Sequence, residues 1–130
     1  MARKYTKEDV IKIANNICSQ LNNSVEPNIL LSWGVSDFTM STIFHNMPTF
    51  IMKVNGRLFK GLVAIAWCES SDLYKVYLLS MEDHSEKCVS DACYADNLGD
   101  VIDTVIERGT DPEEYKAFCR SQRDLLFKKI

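Results

Sequence analysis

An Asn-Gly dipeptide at Asn55-Gly56, set between two apolar runs, is the feature that most constrains the fold of this chain. Asn-Gly favours the two-residue type I′ turn of an antiparallel hairpin, because both central residues of that turn need positive φ. Such a turn predicts that Val54 faces Arg57 and that Met52 faces Phe59. Side chains alternate along a strand, so one face of the sheet is predicted to carry Phe50, Met52, Val54, Phe59, Val63, Ile65 and Trp67.

Three more apolar segments extend this hairpin into a sheet. Alternating side chains predict strands over 29–35 and 38–44 ahead of the hairpin, and a further strand is predicted over 73–80. Short connections join these segments, whereas parallel strands would need long crossovers, so the sequence predicts a five-stranded antiparallel meander. The polar, acidic stretch 81–96 allows a short edge strand around Cys88–Ser90.

Helical spacing of apolar residues is found before and after the predicted strands. A first helix is predicted over 6–22, where Thr6 and Asp9 have the spacing of a capping box. A second apolar stripe runs from Leu98 to Ile106, and Asp111-Pro112 begins a last helix.

These segments together predict an α+β fold. The order is αβββββαα, in which a five-stranded antiparallel meander sheet is packed with an N-terminal helix and two C-terminal helices as a two-layer sandwich. Hydrophobic residues make up 46% of the chain and charged residues 25%, which is typical of a globular protein. We therefore expect a single domain over residues 1–130.

Charge is distributed unevenly along the chain. Between Glu69 and Glu114 there are 13 acidic and three basic residues, a net of −10, and the remaining residues sum to +7. The acidic 69–114 region is either a solvated surface or a surface that favours a basic partner, and it disfavours nucleic acid. No apolar stretch is long enough to span a membrane, and the first residues lack a signal-peptide core, so we expect a cytoplasmic protein without a membrane partner.

The reactive side chains match no known catalytic pattern. Five irregularly spaced cysteines indicate reduced thiols rather than a disulfide framework. His84, Cys88 and Cys93 are weak candidates for a metal site, but their spacing departs from the usual zinc patterns, so we predict no metal and no cofactor. Cys93 with His45 or His84 is the candidate for thiol catalysis, although without a family signature no catalytic residue is predicted.

The second face of the predicted sheet is too apolar to be wholly solvated, so either a helix or another chain should cover it. The candidate interaction residues there and in the acidic region are Ile51, Lys53, Leu58, Lys60, Leu62, Glu82, Asp83 and Glu86. We expect a non-enzymatic protein-interaction or accessory module, with a protein partner or a second copy of itself as a homodimer. The alternative is a small-molecule-binding or enzymatic domain whose pocket lies between sheet and helices, near Trp33, Trp67, His45 and His84.

Overall fold

The computed structural model describes residues 5–128, and it confirms the α+β class. The sheet is an antiparallel five-stranded meander in the order β1-β2-β3-β4-β5, as predicted. Its strands are β1 Asp37–Phe44, β2 Met47–Asn55, β3 Lys60–Cys68, β4 Leu73–Leu79 and β5 Glu86–Cys93. The helices are α1 Lys7–Ser24, α2 Pro27–Ser32, α3 Leu98–Asp103 and α4 Pro112–Lys128. A 3-10 turn, Ala95–Asn97, precedes α3, and a π-helical turn, Thr104–Arg108, follows it.

Helix α1 begins with the predicted capping box. The Thr6 hydroxyl accepts a hydrogen bond from the Asp9 N–H at 3.1 Å, and the Asp9 carboxylate accepts one from the Thr6 N–H at 3.2 Å. The apolar stripe of α1 is buried against β1 and β2 through Val10, Ala14, Ile17 and Leu21. Across residues 5–128, no helix combines the length and the apolar character that crossing a bilayer requires.

The core lies between one face of the sheet and the helices α1 and α3. Of the seven residues predicted to share that face, five are buried and Phe59 and Trp67 pack at the margin of the core. Strand β4 adds Val76 and Leu78, and α3 with its π-helical turn adds Leu98, Ile102 and Ile106. The seven residues therefore contribute to one apolar core, as predicted.

The predicted strand over 29–35 is wrong, because residues 29–32 belong to helix α2 and a turn follows at 33–34. Pro27 occupies the first turn of α2, and Trp33 ends it. A short apolar run fits a strand or a helix equally well by periodicity, and here Leu31 is 78% exposed while Trp33 is fully buried. The sheet still has five strands, because the edge strand considered around Cys88–Ser90 is present and extends over Glu86–Cys93.

The predicted β2–β3 hairpin is present, but its predicted register is wrong by four residues. Val54 pairs with Gly61 rather than Arg57, and Asn55 pairs with Lys60, so the loop comprises residues 56–59. A shift by an even number of residues leaves every side chain on the same face, which is why the apolar face was predicted correctly. Neither Asn55 nor Gly56 has positive φ, so this loop is not a type I′ turn.

The loop conformation is fixed by contacts with the π-helical turn. A Cβ atom on Gly56 would lie 2.2 Å from the carbonyl oxygen of Ile106, so only glycine fits at this close approach. The Leu58 N–H donates a hydrogen bond to the same oxygen at 2.8 Å. The Arg57 N–H donates to the Glu107 carboxylate at 2.6 Å. Glycine is therefore required here by packing and not by backbone dihedral angle.

A two-residue turn with positive φ occurs instead between β1 and β2. His45 and Asn46 have φ values of 51° and 63°, and the flanking residues Phe44 and Met47 pair directly. Positive φ at both central residues is the requirement of a type I′ turn. The tight hairpin of this sheet thus lies one strand earlier than the sequence indicated.

Candidate functional site

Strand β1 forms an exposed edge of the sheet. Within residues 5–128 it pairs only with β2, so about half of the backbone N–H and C=O groups along its eight residues point outward. Asp37 is the only charged residue in its sequence. Phe38 is 62% exposed and Ile43 is 49% exposed, and both lie on the α1 side of the sheet, since they pair with Met52 and Pro48. The edge is therefore apolar and nearly uncharged.

The opposite edge, β5, differs in the features that discourage pairing with another strand. Its sequence contains Glu86, Lys87 and Asp91, and its register against β4 shifts twice. Charges and bulges are the usual means of protecting an edge strand. Strand β1 has one register shift, between Thr39 and Thr42. The signal that sequence reasoning missed is the uncharged run over 38–44.

The sheet face opposite α1 is partly covered by the tip of the β1–β2 hairpin. The Phe44 ring lies 5.1 Å from the Tyr77 ring between centroids, and the His45 Nε2 lies 3.0 Å from a carboxylate oxygen of Glu86. These contacts reach from the first hairpin to β4 and β5, so the sheet is strongly curved. On this face Thr49 and Ala64 are fully buried. The sequence predicts that a helix or another chain covers this face. In the structure, the tip of the β1–β2 hairpin covers part of it.

The predicted interaction residues are distributed over this face and its margins. Four of them lie on this face. Ile51 and Leu62 are half-buried, and Lys53 and Lys60 are exposed. Leu58 lies in the β2–β3 loop and is 46% exposed. Glu82 and Asp83 are exposed in the β4–β5 connection, whereas Glu86 pairs with His45. The fold brings four of the eight together in one surface groove beside the β2–β3 loop, namely Lys53, Leu58, Lys60 and Glu82, and the other four do not line that groove.

The candidate metal ligands are not brought together. Cys88 pairs with Tyr77 and is exposed on the face that the hairpin tip covers, while Cys93 pairs with Tyr74 and is buried in the core on the α1 side. Thiols on opposite faces of one sheet cannot both bind one metal ion. In the described part of the chain, no group of three His, Cys, Asp or Glu residues could hold a metal ion.

The pKa values of two thiols, Cys93 and Cys68, are shifted in opposite directions. Burial raises the pKa of Cys93, the candidate nucleophile, which disfavours the reactive thiolate. Hydrogen bonds from the hydroxyl groups of Ser70 and Ser71 lower the pKa of Cys68 to about 7. Sequence reasoning missed this, although the Ser-Ser pair shortly after Cys68 was a local signal.

The residues expected to line a ligand pocket do not converge. Trp33 is fully buried, and its indole N–H donates to Asp103 at 2.8 Å. The Trp67 indole N–H donates to Asp72 at 2.9 Å, at the far end of β3, and His84 is exposed in the β4–β5 connection. Surface grooves of about 750 Å³ and 680 Å³ run beside the β2–β3 loop instead.

Arg57 lines both of these grooves, and each of the three nitrogens of its guanidinium group donates a hydrogen bond within its own chain. Its Nε and Nη2 donate to the carbonyl oxygens of Glu107 and Arg108, each at 2.9 Å. Its Nη1 donates to the Glu114 carboxylate at 2.8 Å, and its guanidinium carbon lies 5.4 Å from the centroid of the Phe118 ring. Arg57 therefore connects the hairpin loop to α4 and is not available to bind an anion.

Two buried carboxylates, Asp103 and Glu107, lie on the helical segment that holds this loop, and each is 4% exposed. Asp103 accepts the hydrogen bond from Trp33, and Glu107 accepts the one from the Arg57 N–H. Burial raises the pKa of Glu107, the charge of Asp103 adds to this effect, and Arg57 opposes it. π-Helical turns often occur at functional sites, but here both carboxylates have donors with a structural role.

The raised pKa of Glu107 predicts a pH-dependent stability. The folded protein binds the Glu107 proton more tightly than the unfolded chain does, so this group makes the protein more stable as the pH falls from 7 towards the ordinary value of 4.5. We expect Glu107→Gln to reduce that gain while keeping an acceptor for the Arg57 N–H. Urea unfolding at a series of pH values measures how the free energy of unfolding changes with pH. Glu113→Gln, at a side chain that is 81% exposed, is the matched control. An unchanged pH dependence in Glu107→Gln would contradict the prediction.

No family model matches this chain, and neither a curated protein nor a solved structure matches it. The functional conclusion therefore depends on the geometry of the chain itself. Arg57 and the buried carboxylates have structural uses within the fold, and the predicted metal and pocket residues are dispersed. Among these features, the outward backbone groups of the β1 edge are the ones that have no neighbouring strand within residues 5–128.

Proposed function

We propose that this chain is a non-enzymatic protein-interaction module that binds its partner by strand addition along β1. The observation that supports the proposal is the contrast between the two edges of one sheet. Strand β1 has one charge and two exposed large apolar side chains, while β5 has three charges and two register shifts. An added strand would pair with the outward backbone groups of β1, and Phe38 and Ile43 would contact its side chains.

The surroundings of β1 support the same reading. Leu31 is 78% exposed and Val35 is 38% exposed, and they come six and two residues before Asp37 in the chain. Exposed apolar side chains on the surface of a protein are typical of an interaction site when they form a contiguous patch. The five free cysteines are compatible with a cytoplasmic setting, and the acidic 69–114 region favours a protein partner over nucleic acid.

Site-specific photo-crosslinking in the native host tests this function. A benzoylphenylalanine residue is placed at position 38, at position 43 or, as a control, at Leu125 on α4, which is 50% exposed and thus comparable to Ile43. We expect a discrete cross-linked species from positions 38 and 43 that is absent from position 125. The same species must disappear when position 43 carries the photo-crosslinker and Phe38 is changed to lysine. The same cross-links from all three positions, or none at 38 and 43, would contradict strand addition at β1.

A further inference from the structure

We infer that the strand added to β1 is β1 of a second copy of this chain, an inference that rests on the proposed function of this edge. Antiparallel pairing of two identical strands around a two-fold axis requires a self-complementary sequence, since every contact occurs twice. The order of exposed residues in β1 meets that requirement, and the register follows from it.

The register is set by the two exposed apolar residues. Phe38 and Ile43 lie on the same face of β1 although they are five positions apart, because the register shift between Thr39 and Thr42 adds one residue. Directly opposed residues of antiparallel strands share a face. Phe38 can therefore lie opposite Ile43 of the second copy, and by symmetry Ile43 lies opposite its Phe38. Aromatic residues and β-branched residues form favourable cross-strand pairs.

The same register avoids electrostatic conflict. It places Asp37 opposite Phe44 of the second copy, so the two Asp37 carboxylates do not lie opposite each other. Like charges directly opposed across a ladder are destabilising. The register shift of each strand, at residues 40–41, then lies at the two-fold axis. The irregular parts of the two strands therefore face each other, and residues 37–39 of each strand pair with residues 42–44 of the other.

The geometry of the sheet extends the contact beyond the backbone ladder. A two-fold axis perpendicular to the sheet keeps both α1 helices on the same side and joins two five-stranded sheets into one of ten strands. The exposed side chains of Phe38 and Ile43 are on that helical side, so pairing would bury them at the margin of both cores. The eight-residue strand spans about 27 Å, at 3.4 Å per residue.

Sedimentation equilibrium over micromolar to near-millimolar concentrations tests the inference with a charge-pattern design. The double variant Phe38→Lys/Ile43→Lys places like charges opposite each other, and we expect the dimer dissociation constant to rise by at least about tenfold. The double variant Phe38→Asp/Ile43→Lys places opposite charges across both pairs, so we expect it to dimerise more tightly than the first double variant. Leu125→Lys, at a comparable exposure on α4, should dimerise like wild type. Thermal unfolding of each variant verifies that it is folded.

Each outcome separates the inference from the proposed function. A wild-type chain that stays monomeric at all concentrations overturns the second-copy inference. A dimer in which both double variants behave alike overturns the register. If the chain is monomeric but position 38 still gives a specific cross-link to another protein, strand addition stands and its occupant is that protein. If the chain is monomeric and positions 38 and 43 also give no specific cross-link, the β1 edge is not an interaction site.

Discussion

Replacing Gly56 with alanine should lower the free energy of unfolding by at least about 3 kcal/mol, because the new methyl group would collide with backbone and not with a movable side chain. Its Cβ would lie 2.2 Å from the Ile106 carbonyl oxygen, which also accepts the Leu58 N–H. Relief of the collision requires the loop to leave the π-helical turn, and both that hydrogen bond and the one from Arg57 to Glu107 are then lost. Urea unfolding of the purified variant measures the change.

Two comparison variants separate this cause from a requirement for positive φ. Gly109 has a φ of 74° and a ψ of −169°, a backbone region almost confined to glycine, and a Cβ there would meet only the ends of two long side chains at 3.2 Å, so Gly109→Ala should cost about 1–3 kcal/mol. Asparagine tolerates positive φ, so a type I′ turn at Asn55-Gly56 would accept Gly56→Asn. The observed packing does not, and Gly56→Asn should be at least as destabilising as Gly56→Ala. A near-native Gly56→Asn would disprove the packing explanation.

The second large effect is expected for Trp33→Phe, with a loss of about 2–3 kcal/mol in the free energy of unfolding. Trp33 is fully buried, and its indole N–H donates to the carboxylate of Asp103, which is 4% exposed. Phenylalanine retains most of the apolar packing but removes the donor. The buried carboxylate then loses a charge-assisted hydrogen bond without gaining access to water, which is the costly way to break such a pair.

The chain contains a matched control for this change. Trp67 donates a hydrogen bond of similar length, 2.9 Å, to Asp72, but that carboxylate is exposed and water can replace the donor. Trp67→Phe should therefore cost less than about 1 kcal/mol. A double-mutant cycle with Asp103→Asn isolates the pair, since Trp33→Phe should cost less once the carboxylate charge is gone. Equal losses at the two tryptophans would show that the buried carboxylate is not the cause.

Local patterns predicted the parts of this fold that depend on local physics. The capping box at Thr6 and the apolar stripe of α1 satisfy their own short-range rules, so helix α1 was predicted with its N-terminus correct. The apolar face of β2 and β3 follows from alternation, which survives any even shift in register. The α+β class and the meander follow from short connections between strands, and they were also correct.

The errors occur where distant contacts override a local preference. Asn55-Gly56 has the sequence of a tight turn, but the loop is held by residues 106 and 107, which are about 50 positions away and give no signal near the turn. His45-Asn46 forms the tight turn although its sequence is a weaker signal. Segment 29–35 is too short for periodicity to distinguish a helix from a strand, and the burial of Trp33 beside Asp103 is again a long-range contact.

The candidate site was predicted less well than the fold. Its residues were sought by chemical type, as thiols, imidazoles and charged side chains, and the fold disperses them. The β1 edge is distinguished by having a single charged residue, Asp37, and by the absence of proline and of a second neighbouring strand within residues 5–128. Which strand is an edge is a property of topology, so an uncharged run such as 38–44 acquires its meaning only when the order of the strands is known.

The attachment of the β2–β3 loop to the π-helical turn also has a consequence for the order in which the chain folds during synthesis. All five strands leave the ribosome before residues 104–108, so the central hairpin emerges without the segment that fixes its loop. Contacts between residues so far apart in sequence slow folding, because a long segment of chain must be ordered before they form. The nascent sheet therefore lacks this contact until residue 108 has emerged, and during that interval its strands have their greatest opportunity to pair with those of another molecule.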